Sequence, residues 1–363
     1  MPHPYFALVA LAVVVPQERS VPLDSAWELS GEATRIENYR GTRAIRIRTG
    51  QAVRRDVSLG DGTIEFDVAM ALQRSFVYLR FRMVSESEHE EIYFRPHKTS
   101  LPDAVQYSPV WNGDSNWQLY HGPGSTAAIS FAREEWIRVR LVLSGRRAAL
   151  FVGARPTPEM VIALGRSPVA GYLSFGSFVP GAASGEPAAA FTNLVVKPGQ
   201  ISHDFGPEAP APPVPPGLVS RWQLSPAFVV PRGIVATAPD SLLAGRSRWP
   251  AFTVEPTGVL VIGRHLRRPA PQAATVARLV LQSSTARLQQ LKLGYSDYVT
   301  VIVNGKPLFA GDAHYSFDEP RQEGLIGLYQ SIVWLPLLAG ENEVLLVVAD
   351  GFGGWGLMGQ LVD

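Results

Sequence analysis

Cysteine is absent from this 363-residue chain, which excludes disulfides, thiolate metal sites, a cysteine nucleophile and a lipid-modified cysteine anchor. Stability must come from packing. An excess of one charge is missing too. The formal net charge is +1, and the nearest approaches to a basic run are isolated pairs such as Arg146-Arg147 and Arg267-Arg268. Tracking a phosphate backbone needs a basic stripe, so nucleic acid is not an expected partner. The N-terminal apolar run, Tyr5 to Val15, is closed by Pro16 and is too short to span a bilayer. It has the length of a signal-peptide h-region. Residues 1–20 are therefore read as a signal peptide and the protein as secreted or periplasmic, with a buried first strand as the other reading. There is no G-x-S-x-G elbow and no H-E-x-x-H zinc motif, and no window of twelve residues carries a convincing helical period.

Turn formers are plentiful: 33 glycines and 30 prolines accompany 46 % hydrophobic and 18 % charged residues. That composition suits many short strands in a globular chain, and the length suits two domains of roughly 100–200 residues each. The boundary is visible at Pro207 to Gly217, where six prolines fall in eleven residues and forbid a central strand. The predicted layout is a first sandwich over residues 24–200, a proline-rich linker over 203–217 and a second sandwich over 218–363. The fold class is all-β, two jelly-roll-like sandwiches.

Period-2 alternation locates the strands of the first half. Ile64, Phe66 and Val68 alternate with Glu65 and Asp67. Val77, Leu79, Phe81 and Met83 alternate with Phe76, Tyr78, Arg80 and Arg82. Ile92, Phe94 and Pro96 alternate with Glu91, Tyr93, Arg95 and His97. In the fourth strand Ile137, Val139, Leu141 and Leu143 oppose Trp136, Arg138 and Arg140. Side chains reverse direction at every strand residue, so one sheet face is dry and the other is lined with Tyr, Arg, Glu and His. Beyond the linker, strand-like runs recur, with turn chemistry at Asn304-Gly305 and Gly340-Glu341-Asn342.

Residues from about Asp24 to Lys197 resemble the concanavalin A-like lectin/glucanase superfamily, and most closely the secreted domains related to 3-keto-disaccharide hydrolases. The resemblance is carried by Gly62-Thr63-Ile64-Glu65-Phe66-Asp67-Val68, by Glu135-Trp136-Ile137-Arg138-Val139 with the Ser144-Gly145 hairpin, and by Gly171-Tyr172-Leu173-Ser174-Phe175 with Phe191-Thr192-Asn193-Leu194-Val195-Val196. It implies two curved antiparallel sheets with a concave face. Residues from about Val219 to Asp363 resemble a galactose-binding-like jelly roll of the kind appended to glycosidases, through Tyr298 to Pro307 with its Asn304-Gly305 turn and through Leu335 to Val344.

The polar face supplies the candidate ligand-binding residues: Tyr78, Arg80, Tyr93, Arg95, His97, Gln106, Tyr107, Trp111, Trp117 and Tyr120. Arg offers a planar fork of donors, Gln adds an acceptor, and aromatic rings offer flat apolar faces to the C–H side of a pyranose. The expected partner is a carbohydrate or glycoside. A solvated face of cross-strand Glu–Arg pairs is the bland alternative. If the protein is an enzyme of the 3-keto-glycoside type, with hydrolase or lyase-like activity, Glu91, His97 and Asp103 are the acid/base candidates and Arg95 an oxyanion stabiliser. The E-x-D-x-x-E strand of laminarinase-type enzymes is incomplete: Glu65 and Asp67 fit, but Met70 stands at the third position, and retaining hydrolysis needs two carboxyl groups about 5–5.5 Å apart. No cofactor is expected. The alternating oxygens of Asn112, Asp114 and Asn116 leave Ca²⁺ as an option against a plain turn. A third reading is a scaffold whose sandwiches meet other proteins.

Overall fold

The computed structural model describes residues 18–181, 185–208, 213–231, 237–319 and 322–362. The protein is all-β. Among these residues helix is confined to one α-turn, Asp240–Leu243, and three 3₁₀ turns, and the ladders that build the sheets are antiparallel.

Two eight-stranded sheets form from residues 19–198. One runs Met160–Ala163, Arg147–Val152, Ile137–Ser144, Gly62–Met70, Ala189–Pro198, Thr42–Ile47, Arg35–Tyr39, with Arg19–Ser20 beside Ala189–Pro198. The other runs Asp114–Ser115, Val105–Trp111, Glu88–Phe94, Phe76–Ser85, Gly171–Phe178, Thr49–Leu59, Glu28–Glu32, with Thr126–Ala127 beside Val105–Trp111. Their alternating apolar residues meet in one core that joins Ile64, Phe66 and Val68 to Val77, Leu79 and Phe81. Phe175 and Phe191, one from each sheet, stack at 4.4 Å between ring centroids, and Phe66 lies 5.0 Å from Phe175. Burying each such side chain contributes roughly 1.5–3 kcal/mol. Glu65 and Asp67 leave the core side of the first sheet and pair there with Lys197 at 3.1 Å and Arg138 at 3.3 Å, while Met70 is buried.

Residues 221–362 build a seven-stranded sheet and a four-stranded sheet around a core that includes the fully buried Trp222 and Trp355. Trp355 Nε1 donates to the Val348 carbonyl at 3.1 Å, so the tryptophan of the glycine-rich C-terminal segment plugs the sandwich. Asn304 and Gly305 both have positive φ, 48° and 78°, which suits the tight turn between Tyr298–Val303 and Lys306–Asp312.

Residues 1–17, most of the expected signal peptide, and 209–212 of the expected linker lie outside the described residues. The two ends of the proline-rich segment are each tied down. Arg147 donates to the carbonyls of Phe205 at 3.2 Å and Gly206 at 2.9 Å, whereas the Gly217 carbonyl accepts from Leu361 N at 2.8 Å. The sandwiches also touch directly. Trp111 and Leu119 of the first share a buried cluster with Val259, Val261 and Ile326 of the second.

Candidate functional site

Strand register assembles the polar face. Tyr78 stands opposite Tyr93, which stands opposite Gln106; in the next row Arg80 faces Glu91, which faces Ser108. On the other flank Gly176 and Ser174 lie beside Tyr78 and Arg80. A Cβ on Gly176 would stand 3.1 Å from Arg80 Nη1, so glycine leaves the guanidinium room to lie along the sheet.

The rows are tied into a network. Arg80 Nε donates to Glu91 Oε2 at 3.4 Å and Nη1 to Gln51 Oε1 at 3.1 Å; Ser115 donates to Glu91 Oε1 at 2.7 Å. Tyr93 OH donates to Gln106 Oε1 at 2.7 Å and accepts from Arg95 Nη2 at 2.8 Å, and Arg95 also pairs with Gln106 and with Asp103. Gln106 Nε2 then donates to the carbonyls of Trp117 at 2.7 Å and Tyr120 at 2.6 Å. Each polar atom of the buried Gln106 amide is thereby used, and the network fixes the loop carrying Trp117.

Burial alone would push the Glu91 carboxyl up, but His89, Arg80 and the Ser115 hydroxyl outweigh it and hold it below its ordinary value. Glu91 is therefore an anion at neutral pH. Asp103 is paired with both Arg95 and Lys98. His97 departs from the strand pattern. The strand ends at Phe94, and Pro96, which lacks an N–H, opens a 3₁₀ turn over Pro96–Lys98. His97 still reaches the end of the polar face, where its ring meets Phe76 edge-on at 5.6 Å. Burial, with Arg74, Arg95 and Lys98 nearby, lowers its pKa to about 4. The folded protein thus prefers neutral His97, while the unfolded chain takes up the proton near pH 6.5. Stability is expected to fall as pH drops from about 6.5 toward 4, and His97→Gln should flatten that slope in chemical denaturation curves collected across this range.

The other predicted residues divide. Tyr107 directly follows Gln106 and so points the opposite way, into the core, with its hydroxyl donating to Glu90 at 2.5 Å. Trp111 is buried between the sandwiches, and Tyr120 OH donates to Glu255 Oε1 of the second sandwich at 2.7 Å. Trp117 is half-buried and its ring packs against Tyr315 and Phe352. Arg82 leaves the polar face because a bulge places it at φ 49°; it turns inward to Asp61 at 2.8 Å. The Asp114 carboxylate, considered for Ca²⁺, is paired with Arg268.

Sequence reasoning missed Gln51, Arg74 and Phe178 on this face. Phe178 is 45 % exposed and stacks on Phe76 at 6.3 Å. The alternation Tyr172, Ser174, Gly176, Phe178 held a signal for it, but one hidden by the two small residues. A hollow of about 500 Å³ in the second sandwich is bordered by Arg246, Arg278, Asn304 and Glu343. On the polar face Glu91, Tyr93, Arg95 and Gln106 are buried, and Phe76, Tyr78, Arg80 and Phe178 keep part of their surface in solvent.

Neither a protein-family profile nor a curated protein matches the chain. Among solved structures it is similar to a carbohydrate binding module from Bacillus subtilis, at 13% identity over 47% of this chain and 96% of that one, with a TM-score of 0.35. It is also similar to a Bacillus subtilis protein of galectin-like fold, at 11% identity over 47% and 88% of the two chains and a TM-score of 0.35. Similarity to a β-glucanase from Bacillus licheniformis is at 11% identity over 49% and 95%, with a TM-score of 0.37.

Proposed function

We propose that the protein binds carbohydrate on the polar face of the first sandwich. The observation that carries this reading is the pairing of Tyr78 with Arg80. The guanidinium lies 4.7 Å from the Tyr78 ring centroid, is held by Glu91 and Gln51, and keeps 21 % of its side chain exposed. A guanidinium fixed over an aromatic ring suits a sugar, whose hydroxyls take its remaining donors while the C–H face packs against the exposed edge of the pair. Little ordering entropy remains to be lost on binding.

Binding is favoured over cleavage because general acid catalysis at neutral pH needs a carboxyl kept protonated by its surroundings. On this face Glu91 is held ionised and Asp103 is doubly paired. Of the carboxyls whose pKa is raised, Glu90 bonds the core residue Tyr107, and Glu255, Asp297 and Asp350 belong to the second sandwich.

The test is to expose the full chain to a glycan panel while measuring bound ligand and released sugar in parallel. Binding without release, weakened at least tenfold (about 1.4 kcal/mol) in both Tyr78→Ala and Arg80→Ala, is the expected result. Sugar release that both variants abolish would replace the lectin reading with the enzymatic one. No binding and no release would refute both.

A further inference from the structure

Two loops of the second sandwich bring aromatic rings to the edge of the polar face. Tyr315 and Phe317 follow the strand Lys306–Asp312, and Phe352 lies in the turn between Gly340–Asp350 and Gly356–Val362. Tyr315 OH accepts from Arg74 Nη2 at 3.2 Å, and the Arg74 guanidinium lies 3.9 Å from the Phe317 ring centroid. The Trp117 ring meets Tyr315 at 5.5 Å and Phe352 at 6.0 Å. Phe317 and Phe352 are nevertheless 60 % and 59 % exposed.

This cluster is fixed to the polar face at two points. Gln106 holds the Trp117 carbonyl. Arg74 lies just before the strand Phe76–Ser85 and near enough to His97 to lower its pKa. Backbone ties hold the loops in place: Gln118 N donates to the Gly353 carbonyl at 3.0 Å, and Ile326 N donates to the Gln118 carbonyl at 3.1 Å. Exposed rings beside a guanidinium repeat the chemistry of Tyr78 and Arg80 in a second place. Arg74 stands four residues before Tyr78, and a strand rises about 3.3 Å per residue, so the rings held by Arg74 lie on the order of 10 Å from Tyr78 along the strand direction.

We infer that the second sandwich completes the binding site of the first by supplying an aromatic subsite, built on Phe352, Trp117 and Tyr315, and that the ligand is an oligosaccharide long enough to reach it from Tyr78. This rests on the carbohydrate reading of the polar face. The subsite stacks on a sugar ring and leaves the orienting hydrogen bonds to Arg80 and its neighbours, so it adds affinity for length.

The experiment titrates the full chain with laminari-, cello- and xylo-oligosaccharides from disaccharide to hexasaccharide. The wild type is compared with Tyr78→Ala, Phe352→Ala and Phe352→Tyr, each checked for an unchanged thermal transition. Phe352→Ala is expected to lose about two- to tenfold in affinity for the longer members, the worth of one aromatic contact, and nothing for the shortest that binds, with Phe352→Tyr restoring the loss. An equal loss at all lengths, or no loss while Tyr78→Ala abolishes binding, would overturn the composite site and leave the polar-face reading standing. A wild type that binds no member of the three series at millimolar concentration removes both.

Discussion

Gln106→Ala is expected to destabilise the protein by about 3–5 kcal/mol and, on the proposed carbohydrate reading, to abolish glycan binding. The side chain is 1 % exposed, and its amide makes four hydrogen bonds, accepting from Tyr93 and Arg95 and donating to the carbonyls of Trp117 and Tyr120. Truncation leaves those groups buried without their partner, and each such group costs about 1–3 kcal/mol, with incomplete additivity. Arg95 keeps Asp103, which limits the total. The loop carrying Trp117 loses its anchor to the sheet, which is why the proposed binding is expected to fail with it. Gln106→Glu is the informative companion, because a carboxylate keeps the bonds to Tyr93 and Arg95 but faces two carbonyls it cannot donate to. Urea denaturation should rank Gln106→Glu near Gln106→Ala. A Glu variant as stable as the wild type would mean that the two carbonyl contacts carry no weight.

Arg268→Ala should cost about 3–5 kcal/mol at neutral pH, through the contact between the sandwiches. Arg268 pairs with Asp114 of the first sandwich and, at 3.2 Å, with Asp350 of the second. Asp297 lies close by, accepting from Gly351 N at 3.0 Å and facing His314. Burial, then the charge of Asp297, raises the Asp350 pKa, and burial raises that of Asp297. A carboxyl with a raised folded pKa contributes stability that is present below the unfolded value and is lost as pH rises toward the folded one. Removing the guanidinium raises these values further. The deficit of Arg268→Ala should therefore be greatest at neutral pH and shrink on acidification toward about pH 4, the ordinary carboxylate range. Asp350→Asn mimics the protonated acid and should recover part of the loss when combined with Arg268→Ala. Denaturation of the single and double variants at several pH values checks this; a deficit independent of pH would show that packing rather than charge is responsible.

The candidate polar face is partly legible in the sequence because side-chain direction in a strand is a local property. Tyr78 and Arg80, Glu91 and Tyr93 alternate with Val77, Leu79, Ile92 and Phe94, and that alone puts them on one face. Residue type alone groups Tyr107 with Gln106, whereas alternation sends neighbours apart. Arg95 and His97 lie past the end of the strand Glu88–Phe94; Arg95 joins the network and His97 sits on a turn. Trp111 and Tyr120 have the right chemistry for sugar but are consumed in the contact with Val259, Ile326 and Glu255, residues more than a hundred positions away. Phe317 and Phe352 carried no signal, since an exposed ring in a loop is known only from what the fold leaves uncovered.

The all-β class and the strands of the polar face are written in period-2 patterning and turn chemistry, which act over a few residues. Which of the alternating polar residues stay on that face, as Arg82 does not, and which aromatic residues are core, join the sandwiches or face solvent follow from the three-dimensional packing alone. Those outcomes depend on contacts between segments such as Trp117 and Phe352 or Asp114 and Arg268, whose proximity is set by the packing of whole sheets and has no local signature in the chain.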